Sequence, residues 1–495
     1  MTLNPWGRND MNLSELVFQS CDRFAGRVAL VEGDRQVTYR ELERDLRRWA
    51  GQLIEKGGFR DETVALLMPN GVEFVGAYFG ALAAGKSALP LNPLLTIEEL
   101  DFILRDAGVG TLVASKSMMP KAQELAARLP KLRHVLPSAL PGEGPEGAGF
   151  ARREDLATLL YTSGTTGKPK GVMLTHANLI ANIEGCLAMM DVGPDDRFLA
   201  VLPFFHAFGL TASLAIPLSV GASVELMPSI QPGRILAAIS ERGVTCLLAV
   251  PSVFGILAKL APAGASHALR LAVAGGEPLP ERIFHAWQAK FGVPLREGYG
   301  ATETAPVISM TPAGGESRPG RAGRPLANLQ VRICGTAGPL PAGEIGEIQV
   351  RGPSVMRGYL SRPKETADVL DREGWYRTGD LGRLDDEGFL AITGRKKDLI
   401  ISAGENIYPA EIEELLRQIP GVAEAAVVGV PDDLRGEVPK AVICPEQGRQ
   451  LDPTQIRDSL RGHLAEYKMP RFIEFMTELP RTASGKVFKQ ALLKP

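Results

Sequence analysis

The chain carries almost no net charge: 55 basic against 57 acidic side chains leave −2 over 495 residues. That balance excludes the broad electrostatic footprint by which proteins hold nucleic acid or coat an anionic membrane, while leaving a local basic site or a peripheral membrane contact open. Cysteine is scarce too, with five residues at 21, 186, 246, 334 and 444 and no C-x-x-C pair. Such spacing excludes a zinc knuckle or a disulfide framework and predicts reduced thiols in a cytoplasmic protein. No apolar run is long enough to cross a membrane, because Phe74 to Leu91 is interrupted by glycine and carries Lys86. It predicts buried core and no transmembrane segment. Met1 to Asn12 is polar and lacks the basic-then-apolar order of a secretory signal, so no export is expected. No internal repeat is found. What is present is a globular composition, 45% hydrophobic and 23% charged. At roughly 150 residues per domain, the length predicts about three folding units.

Amphipathic segments alternate with short apolar runs through the first two-thirds of the chain. Tyr39 to Leu53 and Val72 to Ala84 have helical period, whereas Val64 to Met68, Phe198 to Pro203, Ala222 to Met227, Cys246 to Val250 and Leu271 to Ala274 are strand-like. This order predicts an α/β fold with mostly parallel sheets faced by helices. Pro137 to Gly149, dense in Pro, Gly and Glu, predicts an exposed mobile loop. From about residue 320 the texture turns to β-runs, Leu329 to Ile333 and Gly346 to Arg351, between Gly and Pro turns, as a small β unit has. A further boundary near Gly394 leads through Arg395-Lys-Lys397 into an α+β tail with a helix at Pro409 to Gln418 and a strand at Glu424 to Val430. The expected layout is a large N-terminal domain, residues 1–394, made of two α/β subdomains over about 1–320 and a β-rich unit over about 321–394. A hinge at 395–398 and a small mobile domain at 399–495 follow.

The strand end Leu159-Leu-Tyr161 runs into Thr162, Ser163, Gly164, Thr165, Thr166, Gly167, Lys168, Pro169 and Lys170. Glycines let backbone N–H groups approach an anion closely, hydroxyls add donors, and the two lysines add charge, so the loop suits phosphate. It is not a Walker loop: the Gly164-x-x-Gly167 spacing is short, and Pro169 has neither the N–H nor the hydroxyl that G-x-x-x-x-G-K-[ST] requires after its lysine. A generic Ser/Thr/Gly run is usually only a surface turn. Ten consecutive positions, Thr162 to Gly171, however, resemble the ATP-phosphate loop of the adenylate-forming superfamily, which includes acyl-CoA synthetases, luciferases and peptide-synthetase adenylation domains.

Further motifs follow in that family's order. Leu202-Pro-Phe-Phe-His-Ala-Phe-Gly209 resembles the segment at the mouth of the acyl pocket, which assigns His206 to the carboxylate end; a lone His among phenylalanines is otherwise most often a core residue. Ala274-Gly-Gly-Glu-Pro278 resembles the adenine-binding turn and implicates Gly276, Glu277 and Pro278. In Gly298-Tyr-Gly-Ala-Thr-Glu303 the resemblance implies that Tyr299 stacks on adenine and Thr302 bonds the α-phosphate. It also implies that Glu303, with Thr162, holds Mg2+, an ion that prefers hard oxygen ligands. Trp375-Tyr-Arg-Thr-Gly-Asp380 is similar to the ribose motif, with Asp380 on the two hydroxyls, although an isolated Gly-Asp is usually a turn. Gly394 to Pro409 is similar to the hinge, with Arg395 toward the nucleotide, Lys397 at the pivot and Gly404 lining the thiol channel. Leu479-Pro-Arg-Thr-Ala-Ser-Gly-Lys486 is similar to the loop carrying the catalytic lysine.

The resemblance implies ATP, Mg2+ and coenzyme A as cofactors and cosubstrate. It implies activation of a small carboxylic acid as acyl-AMP with release of pyrophosphate, then acyl transfer to the thiol with release of AMP. A medium- to long-chain fatty acid is the expected substrate. Aryl, malonyl and o-succinylbenzoate acids share the motifs, an acyl-carrier protein is the alternative acceptor, and a non-catalytic nucleotide-binding scaffold is the rival from another class. A monomer or a homodimer fits the chain equally.

Overall fold

Apolar runs such as Leu271-Ala-Val-Ala-Gly275 and Thr63-Val-Ala-Leu-Leu67 are buried at every position, as strands covered by helices on both faces must be. They lie in a computed structural model that describes residues 10–56, 62–139, 146–149, 151–162, 169–262, 266–402, 405–432, 435–461, 463–481 and 487–493. The chain divides into two compact units, Met1–Val331 with Val350–Tyr376, and Arg332–Gln349 with Arg377–Pro495.

The first unit holds two large sheets. A nine-stranded sheet runs, in spatial order, Arg324–Pro325, Val307–Met310, Leu295–Gly300, Leu271–Gly275, Cys246–Ala249, Arg197–Ala200, Ser223–Leu226, Val28–Glu32 and Arg35–Thr38. The strands from Leu295–Gly300 through Val28–Glu32 pair in parallel and the outer pairs are antiparallel. A seven-stranded sheet runs Gly358–Tyr359, Lys170–Thr175, Leu156–Thr162, Ser87–Leu91, Thr63–Leu67, Thr111–Ala114 and His134–Pro137. Its helices start where the sequence supplies caps: Thr38, Thr96 and Thr175 each accept from the backbone N–H three residues on, and Glu41, Glu99 and Asn178 return the bond.

The apolar stretch around Phe74 is the helix Val72–Ala83, packed between layers with eleven of its residues buried. No helix among the described residues is long and apolar enough to cross a membrane. All five cysteines are free and buried. Most expected elements stand within two residues of their sequence bounds, the helix Tyr39–Glu55 and the strand Cys246–Ala249 among them. Of the stretch 137–149, residues 140–145 lie outside the described residues, and most of the others are exposed, as expected of a loop. Pro137 closes a strand, Gly147 donates to the Arg47 carbonyl at 3.0 Å, and Gly149 donates to the Ala83 carbonyl at 2.6 Å, close approaches that side chains would obstruct.

The residues expected in a β-rich unit are distributed. Arg324–Pro325 joins the nine-stranded sheet and Gly358–Tyr359 the seven-stranded one. Gln330–Cys334, Gly346–Arg351, Tyr376–Leu384 and Leu390–Arg395 form a four-stranded sheet. In the second unit, Val422–Asp432 and Gly436–Pro445 form a long antiparallel hairpin, extended by Ile400–Ser402, Glu405–Ile407 and Phe472–Phe475. The helix Pro409–Gln418 packs there with Ile412 and Leu416 buried against Val427 and Ile443.

Candidate active site

The strand Leu156–Thr162 returns antiparallel as Lys170–Thr175, with Thr162 opposite Lys170. The phosphate-loop candidate is therefore flanked by two antiparallel paired strands, whereas a Walker loop is followed by a helix. Ser163, Gly164, Thr165, Thr166, Gly167 and Lys168 lie outside the described residues. Both flanks of the loop are tied down by residues that motif reading did not single out. At entry, Tyr161 donates to Asp106 Oδ2 at 2.8 Å, and Arg362 reaches Asp106 Oδ1 at 3.1 Å. At exit, the Lys170 ammonium pairs with Glu365 Oε2 at 2.5 Å and lies 5.2 Å from the centre of the Tyr359 ring. Gly171 must be small, since a Cβ there would meet the Tyr161 ring at 3.1 Å.

Tyr359 also reaches the metal candidate. Its hydroxyl donates to Glu303 Oε1 at 2.9 Å. Burial, and next the Glu303 carboxylate, push the phenol pKa well up, so Tyr359 stays protonated and donates to Glu303. One carboxylate oxygen of Glu303 is thus held. The backbone of Glu303 is fixed by the Met356 N–H at 2.7 Å, and Asn182 bonds the carbonyls of Thr304 and Val307 at 3.1 and 2.8 Å. Asn182 stands on the helix His176–Leu187 that follows the hairpin, so phosphate hairpin and Thr302–Glu303 turn share one support. No cluster of three or more His, Cys, Asp or Glu among the described residues could hold a metal alone. A single anchored carboxylate fits Mg2+, which takes its other oxygens from nucleotide phosphates and water.

The strand Leu271–Gly275 delivers Gly276, Glu277 and Pro278 at its carboxyl end, where ligands bind in open α/β sheets. Gly276 has φ +85°, a conformation that glycine adopts without strain. Gly275 lies opposite Gly298 on the neighbouring strand, which brings Tyr299 beside the turn. Gly275, Gly276, Tyr299 and Gly300 line one end of an apolar cavity of ≈ 70 Å³ that continues past Phe208 and Ala212 to Met190. His206 stands at the entry of a π-helix, Phe208–Ala215, a distortion often found at functional sites, and its ring lies 4.5 Å from that of Phe205. Asn70 anchors this segment by donating to the Leu202 carbonyl at 2.8 Å and accepting the Phe204 N–H at 2.9 Å. The Leu202–Gly209 segment and the Gly275–Pro278 turn therefore meet at Phe208, whose ring would touch a Cβ on Gly275 at 3.1 Å.

In the second unit Asp380 is 5% exposed and lies opposite Arg395 in a hairpin, with Arg395 Nε on Asp380 Oδ1 at 2.9 Å. Lys397 belongs to a short 3-10 turn, Lys396–Asp398, beside the Lys396–Glu347 ion pair at 3.0 Å. Gly404 and Lys486 lie outside the described residues. The residues missed by sequence reading had no local signal: sheet pairing of Gly358–Tyr359 with Lys170–Thr175 brings Tyr359, Arg362 and Glu365 there, and Asp106 comes from the end of the helix Ile97–Asp106.

Comparison with known proteins shows the family. The model of the AMP-binding enzyme family matches residues 17–360, and that of the AMP-binding enzyme C-terminal domain matches residues 411–486. A feruloyl-CoA synthase from an Amycolatopsis species is 39% identical over 93% of this chain and 94% of its own. A long-chain-fatty-acid–CoA ligase from Bacillus subtilis is 34% identical over 97% of this chain and 94% of its own. The solved structure of the o-succinylbenzoate CoA synthetase from Bacillus subtilis, in complex with its acyl-adenylate intermediate, superposes with a TM-score of 0.88 at 32% identity, covering 99% of this chain and 99% of its own. Fold and site together define an adenylate-forming enzyme with a large sheet-rich N-terminal domain and a smaller C-terminal one. The chain belongs to the AMP-binding enzyme family and is an ATP-dependent, AMP-forming acyl-CoA ligase, which uses ATP, Mg2+ and CoA.

Proposed function

We propose that the acid is an apolar monocarboxylate, in first place a medium- to long-chain fatty acid. The observation that carries this reading is the cavity beside Tyr299, whose lining of Cys186, Met190, Phe208, Ile216, Leu248 and Met310 is uncharged. A buried second carboxylate there would lack a cation, which disfavours malonate and o-succinylbenzoate. The small cavity and the 39% identity to a feruloyl-CoA synthase support a second reading, an aryl acid. Reduced, buried cysteines support a cytoplasmic location.

The acid reaches the site already ionised near neutral pH, since carboxyls titrate at roughly 4 to 5, so no general base is needed. The barrier is the approach of one anion to another, and catalysis consists of neutralising charge and aligning the attack. In this reading Lys486 bridges carboxylate and α-phosphate, Thr302 restrains the α-phosphate, and the Thr162–Lys170 loop grips the leaving pyrophosphate. Mg2+ supplies charge neutralisation at the phosphates, and Glu303, steadied by Tyr359, and Thr162 are the residues that would hold it. Asp380 takes the ribose hydroxyls and Arg395 faces the nucleotide. His206 guards the carboxylate end of the acyl pocket. For thioester formation the domain beyond the 395–398 hinge turns about Lys397, withdraws Lys486 and brings Gly404 to the thiol arm.

The test is AMP and pyrophosphate release with octanoate, palmitate, ferulate, benzoate and malonate, with and without CoA. Preference for octanoate or palmitate supports the first reading and preference for ferulate the second; preference for malonate, or formation of ADP, overturns both. Lys486→Ala is expected to lower adenylate formation by about a thousandfold or more while sparing thioester formation from supplied acyl-AMP. Equal loss of both half-reactions sinks the two-state assignment.

A further inference from the structure

Glu297 is a buried carboxyl for which adenylation and thioester formation have no use. It sits two residues before Tyr299 on the strand Leu295–Gly300 and is 7% exposed. Its backbone lies opposite Ala274, at the threshold of the Gly275–Pro278 turn, and its carbonyl accepts the Thr311 N–H at 3.0 Å. The side chain crosses between two segments: the backbone N–H of Leu279, which closes the turn, and that of Gly320 both bond its carboxyl. Oε2 is buried without a hydrogen-bond partner. The loop that carries Gly320 is packed tightly, for a Cβ on Gly323 would strike the Met310 backbone. The turn, the loop and the strand of Tyr299 therefore meet at this one carboxyl.

An amide could accept the same two bonds without the cost of burying a charge. What a carboxyl adds is sensitivity to protons. Burial pushes the Glu297 pKa up to about 7 against the two N–H bonds. The charged groups on the surrounding segments are Glu277, Glu281 and Arg282 after the turn, Arg296 on the same strand, and Glu316, Arg318, Arg321 and Arg324 along the loop. None of them is among the causes of the shift. When ionised, the carboxylate makes two charge-assisted bonds; when protonated, it is a weaker acceptor and adds a buried O–H that has no acceptor at Oε2.

We propose that Glu297 is a positioning residue for the nucleotide: its ionised side chain holds the Gly276–Leu279 turn and Gly320 in register with Tyr299, and protonation loosens the grip on adenine. This rests on the assignment of that turn and of Tyr299 to adenine. KM for ATP and kcat are measured by pyrophosphate release at saturating acid and CoA between pH 6 and 8, for the wild type, Glu297→Gln and Glu297→Leu. Comparing wild type with Glu297→Gln cancels the titration of ATP itself. Relative to Glu297→Gln, the wild-type KM is expected to rise about three- to tenfold from pH 8 to pH 6 while kcat runs parallel. Glu297→Leu is expected to raise KM about tenfold at pH 8 with little change in kcat. Parallel KM profiles for wild type and Glu297→Gln, or a loss in kcat with KM unchanged, overturn the proposal; if Glu297→Leu fails to fold, the Gln profile decides. A wild type that releases no pyrophosphate with any acid overturns the underlying adenylation reading, and the Glu297 assignment falls with it. An active wild type with parallel profiles overturns the Glu297 assignment alone.

Discussion

Two carboxylates are buried at opposite ends of the nine-stranded sheet, and their surroundings could hardly differ more. Asp196 immediately precedes the strand Arg197–Ala200, as Thr245 and Arg270 precede its parallel neighbours Cys246–Ala249 and Leu271–Gly275. In-register pairing therefore gathers the three at the amino ends. Arg270 donates to both Asp196 oxygens at 2.9 and 2.6 Å, Thr245 to Oδ1 at 2.7 Å and the Gly193 N–H to Oδ2 at 2.9 Å. Burial raises the Asp196 pKa, but Arg270, Thr245 and Gly193 outweigh it and hold the carboxyl below its ordinary value. At the other end Glu297 has two N–H bonds and no cation, and its pKa rises to about 7. One end of the sheet spends its polar groups on each other; the end beside the Gly275–Pro278 turn leaves an acceptor unfilled and is built from glycines.

The largest expected effect tests the satisfied end. Asp196→Ala leaves Arg270 and Thr245 without their acceptor and should cost about 4 kcal/mol in urea unfolding, with KM for ATP within about twofold of wild type. A comparable loss of ATP affinity would dissolve the contrast between the two ends. Next comes the pH dependence of stability at the under-satisfied end. The folded state raises the Glu297 pKa from 4.5 to about 7, so it favours the neutral form. No penalty is present below pH 4.5, it grows between 4.5 and 7, and it is complete above 7, at most about 3 kcal/mol. Relative to Glu297→Gln, the wild type should lose stability as pH rises through that window; a constant difference across it would mean that Glu297 does not titrate there. The smallest effect is expected for Arg27→Ala. Arg27 pairs with Asp195 at 2.7 Å next to Asp196, but the two side chains are 46% and 92% exposed. Its removal should change stability by less than about 1 kcal/mol in the same assay.

Much of the site was legible because its chemistry is local. A hydroxyl- and glycine-rich loop, a Gly-Gly-Glu-Pro turn and a Tyr-Gly-Ala-Thr-Glu segment are each continuous in the sequence, and each meets a strand end as expected. Other parts were not legible. The π-helix Phe208–Ala215 has no hydrophobic period to announce it, because all but Phe208 of its residues are buried. Glu365 and Lys170 are nearly two hundred positions apart, and nothing in either neighbourhood marks them as partners.

The sequence by itself determined the family and the order of the motifs, since these depend on residue type and short spacing. Only the tertiary structure decided that Lys170 pairs with Glu365, that Tyr359 donates to Glu303, and that Glu297 is buried between the backbones of Leu279 and Gly320. Those choices come from strand pairing and from burial. Neither the partner of a buried charge nor its pKa can be known until the sheet has brought its neighbours to it.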